Sequence, residues 1–448
     1  MRSEWTLKKI SEIANFLNNK RIPLKSLDRQ KRQGSYPYYG ASGVVDSIDG
    51  YIFDGTYLLI SEDGENLRTR KTPIAFKAHG KFWVNNHAHI LSEKEEGVLD
   101  YLEYYFSTVD LNPYITGAAQ PKLNKANLDS IDILYPDRNT RLFINSTLNS
   151  LTHRIATSYQ INQTLEQMAQ ALFKSWFVDF EPVKAKMAVL GAGGSQEGAT
   201  IAAMTVISGK DADKLVLFER EYPKQYAQLK TTAELFPSAM QDSELGKIPE
   251  GWSIKPLDEI ATYQNGLALQ KFRPENDNDF LPVVKIAQLK KGFADGEEKA
   301  SPNIKPECII NNGDVVFSWS GSLMVDIWCG GKAALNQHLF KVSSIKYPKW
   351  LYYKYTAHHL IEFKRIAEAK AVTMGHIKRE HLSQAKCLVP SSETVRAFTP
   401  FFEPVLNWMV SNRLEARKLE NLRDTLLPKL LSGEITLPEA EKIISEEA

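Results

Sequence analysis

The sequence predicts an α+β chain: two mixed α/β domains in tandem pseudo-repeat, separated by two long antiparallel coiled-coil helices. The first observation is an internal repeat. The run W-T-L-K-K-I-S-E-I-A from Trp5 returns 247 residues later as W-S-I-K-P-L-D-E-I-A from Trp252. Asn85-Asn86-His87 returns as Asn336-Gln337-His338 after 251 residues, and I-L-Y-P ending at Pro136 returns as C-L-V-P ending at Pro390 after 254. An ordered repeat of this length is a duplicated unit. The second observation is that each copy closes on a long tract with few prolines and glycines, which reads as one helix. The third is that each globular part mixes tight-turn strands with a stretch of helical spacing.

In order along the chain, residues 1–139 form the first domain. Its GYIFDGTYLLIS sets aromatic and β-branched residues between glycine and Asp-Gly punctuation, the pattern of a strand between turns. VLDYLEYYFSTV then carries apolar residues at helical spacing. Residues 140–180 are the first long helix, and Leu148, Leu151, Ile155, Ser158, Asn162, Leu165, Ala169, Leu172 and Trp176 follow steps of three and four, a heptad seam with two polar breaks. Residues 181–245 read as a linker with some structure: GAGGSQEGAT is small and polar, alternating charge follows, and the segment runs out through DSELGKIPEGW. Gly191-Ala192-Gly193-Gly194 lacks the strand-glycine-helix context and the Lys-Ser/Thr of a phosphate loop, so a flexible joint is expected.

The second domain spans residues 246–393, with strands on either side of the Asn312-Gly313 turn in IINNGDVVFSWSGS and a helix in PKWLYYKYTAHHLIEFKRIA. Residues 394–434 are the second long helix. Its seam, Phe402, Val405, Met409, Asn412, Ala416, Leu419, Arg423, Leu426 and Leu430, repeats the first in register. Leu148, Leu151, Ile155, Leu165 and Leu172 are expected to pack against Val405, Met409, Leu419 and Leu426. An antiparallel pair would hold one globular domain at each end, about 55 Å apart for roughly 37 residues at 1.5 Å each. Residues 435–448 are an acidic tail.

Composition excludes several classes. At 448 residues the chain is too long for one compact core, and 43% hydrophobic with 24% charged residues fits neither disorder nor a fibrous repeat. The most apolar stretch, FTPFFEPVLNWMV, is broken by Pro400, Glu403 and Pro404, so no membrane span is expected. The N-terminus shows no apolar core of a secretory signal, which leaves the cytoplasm as the expected compartment. Cys308, Cys329 and Cys387 form no CxxC pair, so neither a disulfide framework nor a cysteine zinc site is indicated.

Catalytic patterns are likewise missing. The nearest match to the D/N-P-P-Y/F motif of amino-methyltransferases is Asn112-Pro113-Tyr114, which lacks the second proline. Gly331-Lys332 is followed by Ala333 and has Asp326 where a phosphate loop needs its first glycine. Asp277 or Asp279 with Glu297-Glu298-Lys299 fits a magnesium nuclease only loosely, because FADGEEKASP reads as an exposed turn. His87 with His89, and His358 with His359, have no third ligand in the sequence pattern, so no metal site is expected; the matched placement of His87 and His338 suggests a shared structural role.

Local charge points to nucleic acid. The whole chain carries a net charge of only +1, yet Lys20, Arg21, Lys25, Arg29, Lys31 and Arg32 crowd a stretch with one acid, Asp28. Tyr36, Tyr38 and Tyr39 follow beside Gly40, and Arg68-Thr69-Arg70-Lys71 fall in a loop. Gln264-Asn265-Gly266, Gln270-Lys271-Phe272-Arg273 and Lys285 to Lys291 occupy similar stretches of the second copy. Basic side chains neutralise phosphates, and amide or aromatic groups reach base edges and thymine methyls. The chemistry selects Lys20, Arg21, Tyr39, Ser42, Arg68 and Arg70 in the first domain, and Gln264, Lys271, Arg273, Lys285 and Ser320 in the second.

These residues resemble the specificity subunits of type I restriction-modification enzymes. The resemblance rests on YYGASGVVDSIDGYIFDGTYLLISEDGENL with VNNHAHIL, FSWSGSLMVDIWCGGKAALNQHLFKV, QALFKSWFVDFEPVKAK with DSELGKIPEGW, and TLLPKLLSGEI, and it covers nearly the whole chain. It implies two target-recognition domains, each reading one half of a gapped asymmetric DNA site, and spacer helices that dock two methyltransferase subunits. It further implies a non-catalytic chain with no bound cofactor of its own. S-adenosylmethionine, ATP and magnesium would act on the modification and restriction subunits. The alternatives are a self-sufficient DNA methyltransferase or nuclease, and a nonspecific DNA-binding scaffold.

Overall fold

The structure is a computed structural model that describes residues 5–276, 278–369 and 375–447. Asp277, one of the carboxylates weighed for magnesium, lies outside the described residues. The chain forms two compact units, Met1–Thr157 with Ala416–Ala448, and Ser158–Glu415.

The two long helices run Arg138–Phe177 and Ser392–Ser432, so each contributes one part to each unit. They start where the sequence places the repeated prolines. After Pro136 the Asp137 carboxylate accepts from the backbone N–H groups of Asn139 and Thr140, at 2.9 and 3.1 Å. After Pro390 the Ser391 hydroxyl accepts from Thr394 N at 3.2 Å. These are side-chain caps for otherwise unpaired N–H donors. The helices also stop alike: Asp179 N donates to Lys174 O at 2.8 Å, and Glu434 N to Lys429 O at 3.0 Å. Gly433 takes the left-handed φ of 67° that this ending requires. The second helix continues through Pro400, Pro404 and Pro428. All three are exposed, so the carbonyls they leave unpaired face water.

In the first unit, a six-stranded sheet runs in the order Ala14–Phe16, Ala88–Glu93, Phe53–Ser61, Ala75–Val84, Gln33–Gly40, Gly43–Ile48. Its pairs are antiparallel except Gln33–Gly40 with Ala75–Val84. A helix, Val98–Thr108, lies over it, and Thr6–Lys8 pairs with Ile133–Tyr135. One core joins the inward face of that helix to Ile144, Leu148, Leu151 and Ile155 of the first long helix and Leu419, Leu422, Leu426 and Leu430 of the second. The buried Arg141 fixes the junction through Glu95, at 3.0 Å, and Asn145 Nδ2 donates to Gly97 O at 2.7 Å.

In the second unit, Thr262–Asn265, Leu339–Ser343, Val315–Ser318 and Met324–Ile327 form an antiparallel sheet in that order. This is the order of the first four strands of the other unit's sheet, and it extends the sequence repeat into three dimensions. A second four-stranded sheet holds Lys299–Ala300, Leu281–Val284, Ala333–Leu335 and Ile309–Ile310. The helix Lys349–Ala369 packs behind, and Lys354 reaches Glu166 of the first long helix at 2.7 Å. Arg413 of the second long helix donates to Asp326 Oδ1 at 2.7 Å. Here Leu165, Leu172 and Trp176 share a core with Phe402, Val405 and Met409. Trp176 meets Phe398 and Phe402 while Asn162 meets Asn412, so the helices run antiparallel.

Two segments differ from the sequence reading. The stretch expected as a linker is a helical module, Glu181–Gly191, Gln196–Ser208, Ala212–Glu221 and Pro223–Glu234, followed by the hairpin Met240–Ser243 and Gly246–Pro249. Its core is small, Ala203, Met204, Leu215, Leu229 and Ala233, which is why composition hid it. Lys186 is buried within it and donates to the carbonyls of Ala233, Glu234 and Phe236, at 3.2, 3.3 and 2.5 Å, closing the end of the last helix. The glycine run ends in an ordered cap, with Ser195 Oγ accepting from Gly198 N. The tail forms a helix, Leu437–Glu447, whose Ala440, Ile443 and Ile444 pack on the first unit's core.

Candidate nucleic-acid interface

At one end of the first unit's sheet several loops are tied to the turn Asn85-Asn86-His87. The Asn85 side chain accepts from His87 N at 2.8 Å, and His87 Nδ1 lies 2.8 Å from the Asp63 carboxylate. Glu62 N donates to His87 O at 2.9 Å, Gly64 N to Pro121 O at 3.0 Å, and Leu123 N to Glu62 O at 2.7 Å. The hairpin tip joins through Ser61 Oγ, which donates to Ala41 O at 2.5 Å. Below lies a half-buried polar network. Arg21 donates to Glu62 at 2.6 Å and to the carbonyls of Asn86 and Ala88, at 3.2 and 2.9 Å. His89, fully buried, approaches Leu123 O through Nε2 at 2.7 Å while Asn18 Nδ2 lies 2.8 Å from its Nδ1. Burial opposes ionisation of Glu62, but Arg21, His89 and Lys122 outweigh it and hold its carboxyl below the ordinary value. Burial lowers the His89 pKa, against the opposing pull of the Leu123 carbonyl and Glu62.

The second unit repeats this corner with other side chains. Asn336 Oδ1 accepts from His338 N at 3.2 Å, and Ser320 Oγ stands 3.1 Å from His338 Nδ1, in the place Asp63 holds beside His87. Trp319 N donates to His338 O at 3.4 Å, Gly321 N to Gly375 O at 2.8 Å, and Ile377 N to Trp319 O at 3.0 Å. These are the same three backbone ties. Beside the corner a cleft of about 570 Å³ is lined by Gln270, Arg273, Lys285, Glu297, Glu298 and Lys299, among others.

The candidates divide by what their side chains already do. In the first unit Lys20, Ser42 and Arg68 are exposed on the converging loops. Arg68 also donates to the carbonyls of Gly117 and Ala118, at 3.1 and 3.4 Å, shaping a neighbouring loop. Arg21 is committed to the half-buried network. Arg70 turns inward from a left-handed backbone, φ 47°, to the carbonyls of Phe106, Ser107 and Val109 at the end of a helix. Tyr39 packs on Phe76 and Phe82 in the sheet core. Arg21 and Tyr39 are thereby placed in the framework of the unit, while Arg70 stays exposed with its guanidinium engaged by those carbonyls. Of the basic run, Arg29 pairs with Asp46 and Arg32 with Asp49, both at 2.8 Å.

In the second unit Lys271 and Arg273 are exposed, and Arg273 lines the cleft. Lys285 lines it too, paired to Glu298. Gln264 is half-buried on the strand Thr262–Asn265, with its amide donating to Asn265 O at 3.0 Å. Ser320 is buried against His338 and offers its hydroxyl inward. Sequence reasoning missed the Asn-x-His turn as the meeting point of the loops, although the repeat had marked it. It placed Glu297-Glu298-Lys299 in an exposed turn but did not see that they wall the cleft with Arg273 and Lys285.

Among the described residues no group of three His, Cys, Asp or Glu side chains could hold a metal ion, and no helix is long and apolar enough to cross a membrane. Three comparisons bear on this geometry. The family model of the type I restriction modification DNA specificity domain matches residues 2–167 and again 249–416. The chain is similar to the type I restriction enzyme HindI specificity subunit of Haemophilus influenzae, 29% identical over 70% of this chain and 71% of that one. It is also similar to the MjaIX specificity subunit of Methanocaldococcus jannaschii, 23% identical over 97% of this chain and 94% of that one. Its fold is similar to the solved S subunit of a type I restriction-modification system from M. genitalium, with a TM-score of 0.55, 12% identity and coverage of 95% and 96% of the two chains. Two matches, one on each copy of a duplicated domain that carries the same loop corner, make this chain a member of the type I restriction-modification DNA specificity family.

Proposed function

We propose that the chain reads a two-part, gapped and asymmetric site on double-stranded DNA and delivers that address to two methyltransferase subunits and to restriction subunits. One observation carries the reading: the same loop corner stands on sheets of the same strand order in both units, but its exposed side chains differ. Two heads of one design with different chemistry suit two different half-sites. In this reading Lys20, Ser42 and Arg68 of the first unit, and Lys271 and Arg273 of the second, face the duplex. Methyl transfer, ATP-driven movement and cleavage belong to the partners, which bind S-adenosylmethionine, ATP and magnesium. The complex works in the cytoplasm, where its DNA is. The test is to map methylated positions across the host genome by single-molecule sequencing, with and without this gene. Loss of one gapped, asymmetric motif is expected. An unchanged methylation map, with the partner methyltransferase expressed, would overturn the reading.

A further inference from the structure

The duplicated Asn-x-His turn has two residues with internal tasks and one without. Asn85 and Asn336 use their side chains to hold the N–H of His87 and His338. Those histidines lie against Asp63 and Ser320. The middle residue, Asn86 in one unit and Gln337 in the other, is exposed. Among the described residues the Asn86 carboxamide makes no hydrogen bond, and that of Gln337 only approaches His338 Nε2 at 3.4 Å. Yet the backbone under each is held from below. The Asn86 carbonyl accepts from the Arg21 guanidinium at 3.2 Å, and the Gln337 carbonyl from the Trp319 indole at 3.3 Å. Two unrelated side chains thus do the same work, fixing the tip of the turn while leaving its carboxamide outside. Gln337 N is fixed as well, donating to Leu267 O at 2.9 Å.

A rigid tip that presents one carboxamide suits bidentate reading of a base edge. A carboxamide matches the N6 donor and N7 acceptor of adenine in the major groove, and rigid support lowers the cost of ordering it. Shared chemistry in two otherwise divergent heads serves a feature that both half-sites share. We propose that Asn86 and Gln337 are equivalent base-reading residues, each hydrogen-bonding the N6 and N7 edge of one adenine in the half-site its unit reads. This rests on the DNA-reading role proposed above.

The test uses the full chain assembled with its methyltransferase subunits, and duplexes carrying the mapped motif in which each adenine is replaced in turn by 7-deazaadenine. The wild-type complex should lose roughly 5- to 100-fold in affinity at one adenine in each half-site, the range of a bidentate contact. Asn86→Ala should abolish the sensitivity in one half-site only, and Gln337→Ala in the other only. If no adenine shows this effect with the wild-type complex, the proposal fails without recourse to any variant. It fails also if Asn86→Ala weakens motif and random duplexes by the same factor, which marks a backbone or folding role; melting temperatures of the variants separate those two. A wild-type complex that does not prefer its motif over random duplex would instead refute the DNA-reading role itself, and this proposal with it.

Discussion

Asn412 Nδ2 donates to Asn162 Oδ1 at 3.2 Å, and Asn162 Nδ2 donates onward to the Met409 carbonyl at 3.1 Å, both amides buried between the two long helices. The pair sits where an asparagine interrupts each apolar seam, so these two polar breaks satisfy one another. A buried amide pair costs stability relative to an apolar pair but penalises every other register, where an amide would face hydrocarbon. Asn162→Leu alone should destabilise by about 1–3 kcal/mol, because it strands the Asn412 amide. Adding Asn412→Leu should restore most of that stability. Denaturant unfolding of the wild type and the two variants checks this; a double variant no more stable than the single one would refute it.

The helices pass unbroken from one compact unit to the other, which gives their length a functional reading. Inserting one heptad into each, after Thr157 and before Ala416, adds about 10.5 Å of helix, roughly three base pairs of duplex. The methylated motif should keep both half-sites and widen its gap. Methylation mapping of cells carrying the insertion reads this directly, and an unchanged gap contradicts the spacing role.

Arg21 and Lys20 are neighbours with opposite expected behaviour. Arg21→Ala leaves Glu62 without its guanidinium partner in a half-buried network and should lower stability by about 3 kcal/mol. Lys20→Ala should leave the melting temperature unchanged, weaken binding to all sequences alike, and reduce the salt dependence of binding by about one phosphate contact. Thermal melts and binding at several salt concentrations separate the two. A stable Arg21→Ala protein would show that the network is not what holds the corner.

His359 makes the second unit sensitive to acid. Burial and the neighbouring His358 push its pKa down to about 4, against an ordinary value of 6.5. Below 6.5 the unfolded chain takes up a proton that the folded chain refuses, so stability falls as the pH drops from about 6.5 towards 4. At pH 5 the loss is about 2 kcal/mol. His359→Gln should flatten that part of the profile in denaturant unfolding at pH 7 and pH 5; an unchanged slope would rule out His359 as its source.

The sequence reveals what is periodic and hides what depends on distant acceptors. The heptad seams name the buried faces of both long helices because a helix repeats its neighbours every three or four residues, and Leu148 and Leu426 lie inside as that spacing requires. Arg21 and Arg70 look like surface cations in a basic run, and only the fold brings Glu62 and the carbonyls of residues 106–109 to meet them. Tyr39 likewise needs Phe76 and Phe82, nearly forty residues on, before it becomes core. The helical module stays hidden because its core is mostly alanine and isolated leucines, a pattern too thin to stand out from charged surface.

The division of the chain also sets an order of assembly. Ser158–Glu415 is continuous, whereas the other unit needs both the first 157 residues and those from Ala416 onward. Until Leu419, Leu426, Leu430 and Ala440 have left the ribosome, the first domain lacks one wall of its core, and Leu148, Leu151 and Ile155 can be covered only by their own domain. Gly433 and Trp5, whose ring would lie 3.5 Å from a Cβ at that glycine, meet only after more than four hundred intervening residues have been made. The unit begun first is therefore finished last, and a chain cut short at Ala416 fails in its first domain.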